Sequence, residues 1–183
     1  MPNRALLIID MQNDLCLNPK RWPKVQAMLP DLVRAIDSFS TAAQPVLYSC
    51  FALSETDDQF ARFGDRYCVE GTRGAEIIAE LHPLRGVVFK KRKHSAFFET
   101  ELDDRLRHGN VSDLYLAGLQ TQICIMTTAA DASFRGYRAI AIRECVVSTQ
   151  EKAKSEALDW IAKYVGEVRS LEEVLRSIRH EPT

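Results

Sequence analysis

Three polar residues that could cooperate in nucleophilic catalysis follow three apolar segments of the sequence. Asp10 directly follows the run that ends at Ile9, and Lys91 lies two residues beyond the run that ends at Phe89. Cys124 comes after a third run and a short polar turn, where a helix is predicted to begin. A carboxylate can accept the proton of a thiol, and a nearby ammonium favours the thiolate, which is the nucleophilic form. If folding brings them together, these groups can serve as base, charge stabiliser and nucleophile.

The position of Cys124 favours a reactive thiol. A helix N-terminus carries unpaired amide N–H groups and a partial positive charge, which can lower a thiol pKa and hold an oxyanion. We therefore expect the pKa of Cys124 to lie below the ordinary value of about 8.5. Structural interpretations are also open, because Asp10 could cap a turn, Lys91 belongs to a basic run that could be solvated, and Cys124 could be an inert core thiol.

The apolar segments alternate with amphipathic ones, and uninterrupted apolar runs are typical of parallel strands that are covered on both faces. The predicted strands are Ala5–Ile9, Val46–Tyr48, Val87–Phe89, Leu114–Ala117, Ala139–Ile142 and, more weakly, Glu167–Arg169. The predicted helices are Val25–Phe39, Gln122–Phe134, Glu151–Tyr164 and Leu171–Ile178. This alternation predicts an α/β fold with one domain over residues 1–183. We expect a Rossmann-like, three-layer α/β/α sandwich whose six-stranded parallel sheet has the order 3-2-1-4-5-6.

In such sheets the ligand crevice lies outside the carboxyl ends of the strands, where Asp10, Lys91 and Cys124 are expected. The less periodic stretch from Phe51 to Gly74 is predicted to be a long loop over this crevice. Six side chains that follow strands or lie in this loop are candidates for substrate contact, with ordinary packing as the alternative for each. They are Leu15, Trp22, Phe51, Tyr67, Phe97 and Gln122.

The composition narrows the classes of partner. With 24 basic and 25 acidic residues and a net charge of -1, the chain has no field that would attract nucleic acid or anionic lipid, so a small, roughly neutral substrate is expected. No apolar run approaches the roughly 18 residues of a membrane span, and no cleavable leader is recognisable, so we expect a cytoplasmic protein. Five cysteines without a C-x-x-C pair predict reduced thiols. Nucleotide-binding glycine motifs are absent.

Four segments, in their order and spacing, resemble the isochorismatase-like cysteine hydrolases. This family includes nicotinamidases, N-carbamoylsarcosine amidohydrolase, ureidoacrylate hydrolase and isochorismatase itself. The segments are residues 5–14 (ALLIIDMQND), 70–76 (EGTRGAE), 91–100 (KRKHSAFFET) and 118–124 (GLQTQIC), the last followed by Thr128, Ala132, Gly136 and Tyr137. The resemblance covers roughly residues 5–150.

The resemblance implies a role for each matched residue. Asp10 corresponds to the general base, Lys91 to the charge-stabilising lysine and Cys124 to the nucleophile. The family has a non-proline cis peptide before the cysteine, here between Leu119 and Gln120, so the amides of Gln120 and Cys124 would form an oxyanion hole. The implied activity is hydrolysis of a C–N bond in a small amide, ureide or carbamoyl substrate through a thioester, without a cofactor. The resemblance also implies a homodimer or homotetramer.

The sequence departs from the nicotinamidases at their metal site. Those relatives carry Asp-x-His after the second strand and a histidine before the Gly-Thr segment, whereas this chain has Tyr48–Ala52 and Tyr67 there. The histidines are scattered, at positions 82, 94, 108 and 180, so we predict no bound metal. Isochorismate-cleaving members typically lack the cysteine, and Cys124 therefore favours amide chemistry. Vinyl-ether hydrolysis and a non-catalytic, ligand-binding role are the alternatives.

Overall fold

A six-stranded, all-parallel sheet forms the centre of the computed structural model, which describes residues 3–63, 66–82 and 85–179. The strands are β1 (Asn3–Ile9), β2 (Val46–Phe51), β3 (Val87–Lys91), β4 (Val111–Leu119), β5 (Arg138–Val147) and β6 (Gly166–Arg169). Their order across the sheet is β3-β2-β1-β4-β5-β6. The predicted fold class and strand order are therefore confirmed. The order reverses between β1 and β4, which places a crevice at their carboxyl ends.

Seven α-helices lie within the described residues. They are α1 (Asn13–Cys16), α2 (Trp22–Thr41), α3 (Asp58–Phe63), α4 (Leu102–His108), α5 (Met126–Phe134), α6 (Glu151–Tyr164) and α7 (Leu171–Arg179). A π-helical turn at Thr121–Ile125 directly precedes α5, and 3-10 turns occur at Arg73–Ala75 and Ala79–Leu81. None of the helices in the described ranges combines the length and apolar character needed to cross a bilayer.

The helices cover both faces of the sheet because consecutive strand residues point to opposite sides. On β1, Leu7 and Ile9 face the core layer beneath α4, α5 and α6, whereas Leu6 and Ile8 face the layer beneath α2 and α7. Both layers exclude solvent, which explains why β1 is an uninterrupted apolar run. The helices meet the sheet through residues three or four apart, and on α2 these are Val25, Met28, Leu32, Ile36 and Phe39.

Three elements, β4, β5 and α2, begin earlier than the sequence predicts, for identifiable reasons. β4 and β5 include the charged residues Asp113 and Arg138, which are cross-strand partners in register. The Arg138 Nε donates to Asp113 Oδ1 at 3.0 Å, so the buried carboxylate is compensated inside the sheet. α2 begins at Trp22 instead of Val25, because a proline suits the first turn of a helix and Pro23 occupies it.

The stretch predicted as a long loop over the crevice, Phe51 to Gly74, is more structured than expected. It contains α3, and Leu53 pairs with Val69 in an isolated parallel bridge. Positions 64 and 65 lie outside the described residues. The prediction of an irregular loop is therefore wrong in part, although Phe51, Arg66 and Tyr67 of this stretch do line the crevice.

Candidate active site

Asp10, Lys91 and Cys124 meet at the carboxyl edge of the sheet. Asp10 follows β1, Lys91 ends β3, and Cys124 lies in the π-helical turn after β4. The Lys91 Nζ is 3.0 Å from Asp10 Oδ2 and 3.7 Å from Cys124 Sγ. The side chains of the ion pair are 0% exposed for Lys91 and 1% for Asp10. The ammonium thus contacts both the carboxylate and the thiol in a site without bulk water.

The Lys91 ammonium is held in this position by groups beyond its two reactive neighbours. It donates to the carbonyl oxygens of Lys93 at 3.0 Å and His94 at 3.2 Å. It also lies 3.5 Å from the centroid of the Phe51 ring, which ends the intervening strand β2. Because β2 separates β3 from β1, the lysine side chain must reach across it to Asp10, and the Phe51 ring supports that crossing.

Asp10 turns sharply out of the sheet. Its φ of 57° lies in the left-handed region, which aspartate tolerates better than most residues. Its amide donates to the Ser49 carbonyl at 2.9 Å and its carbonyl accepts from the Gln12 amide at 2.8 Å. This backbone conformation directs the carboxylate towards Lys91 and away from the helical layers.

The buried Gln12 side chain connects three segments around the site. Its Nε2 donates to the carbonyls of Phe51 at 2.8 Å and Ala75 at 2.7 Å, and its Oε1 accepts from the Phe51 amide at 2.8 Å. Gln12 therefore fixes the end of β2, including the ring beneath Lys91. The sequence analysis missed this residue because it interpreted the polar segment after β1 as local turn chemistry.

The turn that carries Cys124 is built around Gln120. The Leu119–Gln120 peptide is cis, and the Gln120 carbonyl accepts from the amides of Ile123 at 3.1 Å and Ile125 at 3.2 Å. The Gln120 amide N–H faces the Cys124 sulfur and stabilises its anionic form. If this sulfur attacked a carbonyl carbon, the same donor would also be close to the position where the oxyanion develops.

Burial dominates the ionisation of the thiol. It raises the pKa of Cys124 well above the usual range, and the negative charge of Asp10 acts in the same sense, whereas Lys91 and the Gln120 amide oppose both. The expectation of a lowered thiol pKa is therefore wrong. A helical N-terminus and one ammonium do not compensate for complete burial beside a carboxylate. Burial likewise raises the pKa of Asp10, against the opposing effects of the Lys91 ammonium and of the neighbouring Cys124 thiol.

A cleft of about 470 Å³ opens over Cys124. Of the six predicted substrate-contact residues, Leu15, Phe51 and Tyr67 line it, and the other three do not. Trp22 begins α2 and packs against the core on the α2 face. Phe97 is buried and stacks on Tyr137, with ring centroids 5.8 Å apart.

Gln122 lies beside the cleft instead of on its wall. Its Nε2 donates to Gln120 Oε1 at 3.2 Å, which turns the side chain towards the cis peptide. Gln120 itself does line the cleft, together with Leu119 and Ile123 of the same turn. A residue that follows a strand therefore reaches the cleft only if the local turn directs it there.

Five polar residues of the cleft were not identified from the sequence as site residues, namely Asp14, Asn18, Arg21, Arg66 and His94. The His94 ring places Nδ1 3.8 Å from Cys124 Sγ and packs edge-on to Phe51. Arg21 and Arg66 also line the cleft. The sequence analysis had assessed the histidines only as metal ligands. The proximity of His94 to Lys91, three residues earlier and at a strand end, is the signal that could have identified it.

The chain was compared with protein families, characterised proteins and solved structures. The model of the isochorismatase domain matches residues 4–173. Nicotinamidase of Escherichia coli is 28% identical, over 79% of this chain and 83% of that protein. N-carbamoylsarcosine amidase of Thermoplasma acidophilum superposes with a TM-score of 0.83 at 28% identity, covering 93% of this chain and 97% of that one. Pyrazinamidase of Pyrococcus horikoshii, in complex with zinc, has a TM-score of 0.83 at 25% identity, covering 92% and 99%.

Proposed function

This chain belongs to the isochorismatase domain family of hydrolases, and we propose that it cleaves a C–N bond in a small amide, ureide or carbamoyl substrate through a thioester on Cys124. One observation carries the proposal, namely the buried Lys91 ammonium that contacts both the Asp10 carboxylate and the Cys124 sulfur. Two relatives support it, because nicotinamidase and N-carbamoylsarcosine amidase are named for substrates that contain an amide or carbamoyl C–N bond.

In the first half of the reaction, Asp10 acts as a base at the moment of attack. The raised pKa of Cys124 keeps the resting sulfur protonated, and the thiol interacts with the Asp10 carboxylate. As the sulfur bonds to the carbonyl carbon, its proton passes to Asp10 and the carbonyl π electrons become the oxyanion. The Gln120 and Cys124 amides hold that oxyanion. The C–N bond then breaks, and Asp10 returns the proton to the departing nitrogen.

In the second half, Asp10 is again ionised and beside the thioester. It takes a proton from water, the oxygen bonds to the thioester carbon, and the C–S bond breaks with return of the proton to sulfur. The Lys91 ammonium offsets the charge that moves between Asp10 and the oxyanion. Two steps with a sulfur leaving group replace direct attack of water on a resonance-stabilised amide.

The proposed chemistry uses no metal. Among residues 3–63, 66–82 and 85–179, no three His, Cys, Asp or Glu side chains are close enough to hold a metal ion. The donor set therefore does not fit the zinc of the Pyrococcus relative, and no step is assigned to a metal. Assay of the same protein preparation with and without added zinc tests this part, and an increase in kcat that requires zinc would contradict it.

The nucleophile is tested by substituting Cys124. Cys124→Ala should abolish turnover of an amide panel that includes nicotinamide and N-carbamoylsarcosine, and mass spectrometry of the unsubstituted protein should find an acyl adduct on Cys124. Asp10→Asn should lower kcat by about 10²–10⁴-fold, the usual contribution of a positioned base. Cys145→Ala is the matched control, because Cys145 is buried beneath the opposite helical layer. Turnover by Cys124→Ala at the original rate would refute the proposal.

One observation favours a second candidate, hydrolysis of a vinyl ether. Because burial raises the pKa of Asp10, this carboxyl group is suited to donate a proton to a vinyl ether, and such a reaction needs no thiolate. Pyruvate release from isochorismate by a Cys124→Ser variant would favour this candidate over the amidase. A protein that turns over neither substrate class and forms no adduct would be a non-catalytic binding member of the family.

A further inference from the structure

Arg21 is a buried cation in the wall of the cleft. The residue is only 8% exposed, precedes α2, and lines the same cleft as Cys124. Its Nη1 donates to the Leu15 carbonyl, which holds the side chain against the loop after β1. Its buried Nε has no hydrogen-bond partner among the described residues. The protein therefore uses only part of the hydrogen-bonding capacity of this guanidinium group.

The described part of the chain also supplies no carboxylate within ion-pair distance of Arg21, whereas exposed arginines such as Arg34 and Arg85 have such partners. The groups that interact with its charge are the thiols of Cys16, Cys124 and Cys68. These thiols are neutral at physiological pH, because burial raises the pKa of each. A guanidinium removed from water without a counter-ion is unfavourable unless a ligand provides the negative charge.

The other charges of the cleft do not neutralise Arg21. Asp10 is paired with Lys91, and the Asp14 carboxylate accepts from the Cys68 amide at 2.8 Å. Arg66, the second arginine of the cleft, lies over the Phe60 ring with its guanidinium carbon 5.6 Å from the centroid. With Asp10 offset by Lys91, two guanidinium groups and one carboxylate face the space above Cys124.

We propose that Arg21 binds a carboxylate of the substrate, so that the amide, ureide or carbamoyl compound hydrolysed at Cys124 is an anion. A guanidinium suits this role because its planar donors match the two oxygens of a carboxylate. The statement that the bound anion is a substrate rests on the proposed function. The anion-binding site at Arg21 does not depend on that function. An anionic substrate replaces the expected neutral one. That expectation was based on the net charge of the whole chain, which contains no information about the charges within one cleft.

The test compares two probes that differ only in charge. Succinamate carries a carboxylate where succinamide carries a second carboxamide, and both offer the same amide for hydrolysis. The unsubstituted protein should prefer succinamate by about 10- to 100-fold in kcat/KM, the range of a hydrogen-bonded charge pair. Arg21→Gln should abolish this preference mainly by raising KM for succinamate. Lys20→Gln removes the same charge from an exposed neighbouring residue and should leave the preference unchanged.

A binding measurement separates the anion site from the catalytic proposal. Titration calorimetry with succinate should show binding that Arg21→Gln weakens by about 10-fold or more and Lys20→Gln does not. Succinate binding that depends on Arg21, without hydrolysis of either amide, would uphold the anion site and refute the amidase. Equal hydrolysis of succinamate and succinamide would uphold the amidase and refute the anion site. Succinate binding that is absent, or unchanged in Arg21→Gln, would overturn the inference.

Arg21→Lys covers the case in which Arg21→Gln does not fold. Lysine keeps the positive charge but lacks the planar pair of donors, so succinate affinity should fall several-fold and the preference for succinamate should be reduced but retained. Thermal melting of each variant establishes that it is folded. Unchanged succinate affinity in a folded Arg21→Lys variant would count against the proposal.

Discussion

Replacing Lys91 by methionine should destabilise the protein strongly, because it leaves the Asp10 carboxylate buried and unpaired. The two side chains are 0% and 1% exposed and 3.0 Å apart. Removing one partner of such a pair costs about 3–5 kcal/mol, since the remaining charge keeps its desolvation penalty without its counter-ion. For a protein of this size, that loss corresponds to a fall in melting temperature of about 6–20 °C. Urea denaturation of both proteins at pH 7 measures it.

A double variant separates the electrostatic cause from the loss of packing. Asp10→Asn combined with Lys91→Met removes both charges, so it should be more stable than Lys91→Met alone. Lys90→Met is the matched control, because Lys90 adjoins Lys91 in sequence but is 68% exposed and pairs with Glu70 at the surface. This control should show no measurable change.

Two results would refute the reasoning. One is a Lys91→Met variant that loses less than about 1 kcal/mol, the scale of an exposed pair. The other is a double variant no more stable than Lys91→Met, because the loss would then come from the broken contacts of Lys91 with Phe51 and with the Lys93 and His94 carbonyls. Lys91→Met should also lose hydrolytic activity, since it removes the ammonium that offsets the charge moving between Asp10 and the oxyanion.

Three further predictions concern the thiol, the sheet and the assembly. Asp10→Asn should shift the pH profile of Cys124 alkylation by iodoacetamide to lower pH, because the interactions of Asp10 with the thiol raise the thiol pKa. An unchanged or higher midpoint would contradict this. Gly118→Ala should destabilise the protein by about 3 kcal/mol or more in urea titration. The φ of Gly118 is +107°, and the added Cβ would lie 2.1 Å from the Ile9 carbonyl oxygen. A loss below about 1 kcal/mol would contradict this and show that β1 can shift. We also expect light scattering to give two or four times the chain mass of 20.7 kDa, because Phe134 and Tyr164 are 79% and 61% exposed, and a monomeric mass would contradict this.

The four central strands could be predicted from the sequence because they are largely buried on both faces, and each therefore contains an apolar run. β1 is the clearest case, with a run that ends one residue before Asp10. The ends of β4 and β5 could not be found in this way. Asp113 and Arg138 are polar, and their place in the sheet depends on a cross-strand ion pair between residues distant in sequence.

The proximity of the three candidate catalytic residues could be predicted because each follows a predicted strand and parallel strands end at one edge. Asp10, Lys91 and Cys124 therefore had to approach one another, whatever the details of their loops. The remaining cleft residues could not be assigned by the same argument. Phe97 follows β3, which ends at Lys91, yet its ring turns into the core against Tyr137. Arg21 reaches the cleft only because α2 begins where it does.

The raised pKa of Cys124 is compatible with catalysis when the charges of the whole site are followed. At rest the Asp10 carboxylate is paired with the Lys91 ammonium, and a resting thiolate would add a second anion next to this carboxylate. During attack the proton moves from sulfur to Asp10 while negative charge develops on the carbonyl oxygen, so the site still contains one anion and one ammonium. Its net charge is unchanged from the resting state to the tetrahedral intermediate. A low-dielectric site therefore opposes the free thiolate but not the concerted transfer. Nucleophilicity in this arrangement depends on where the proton can go, and the Asp10 carboxylate lies close enough to the thiol to accept it.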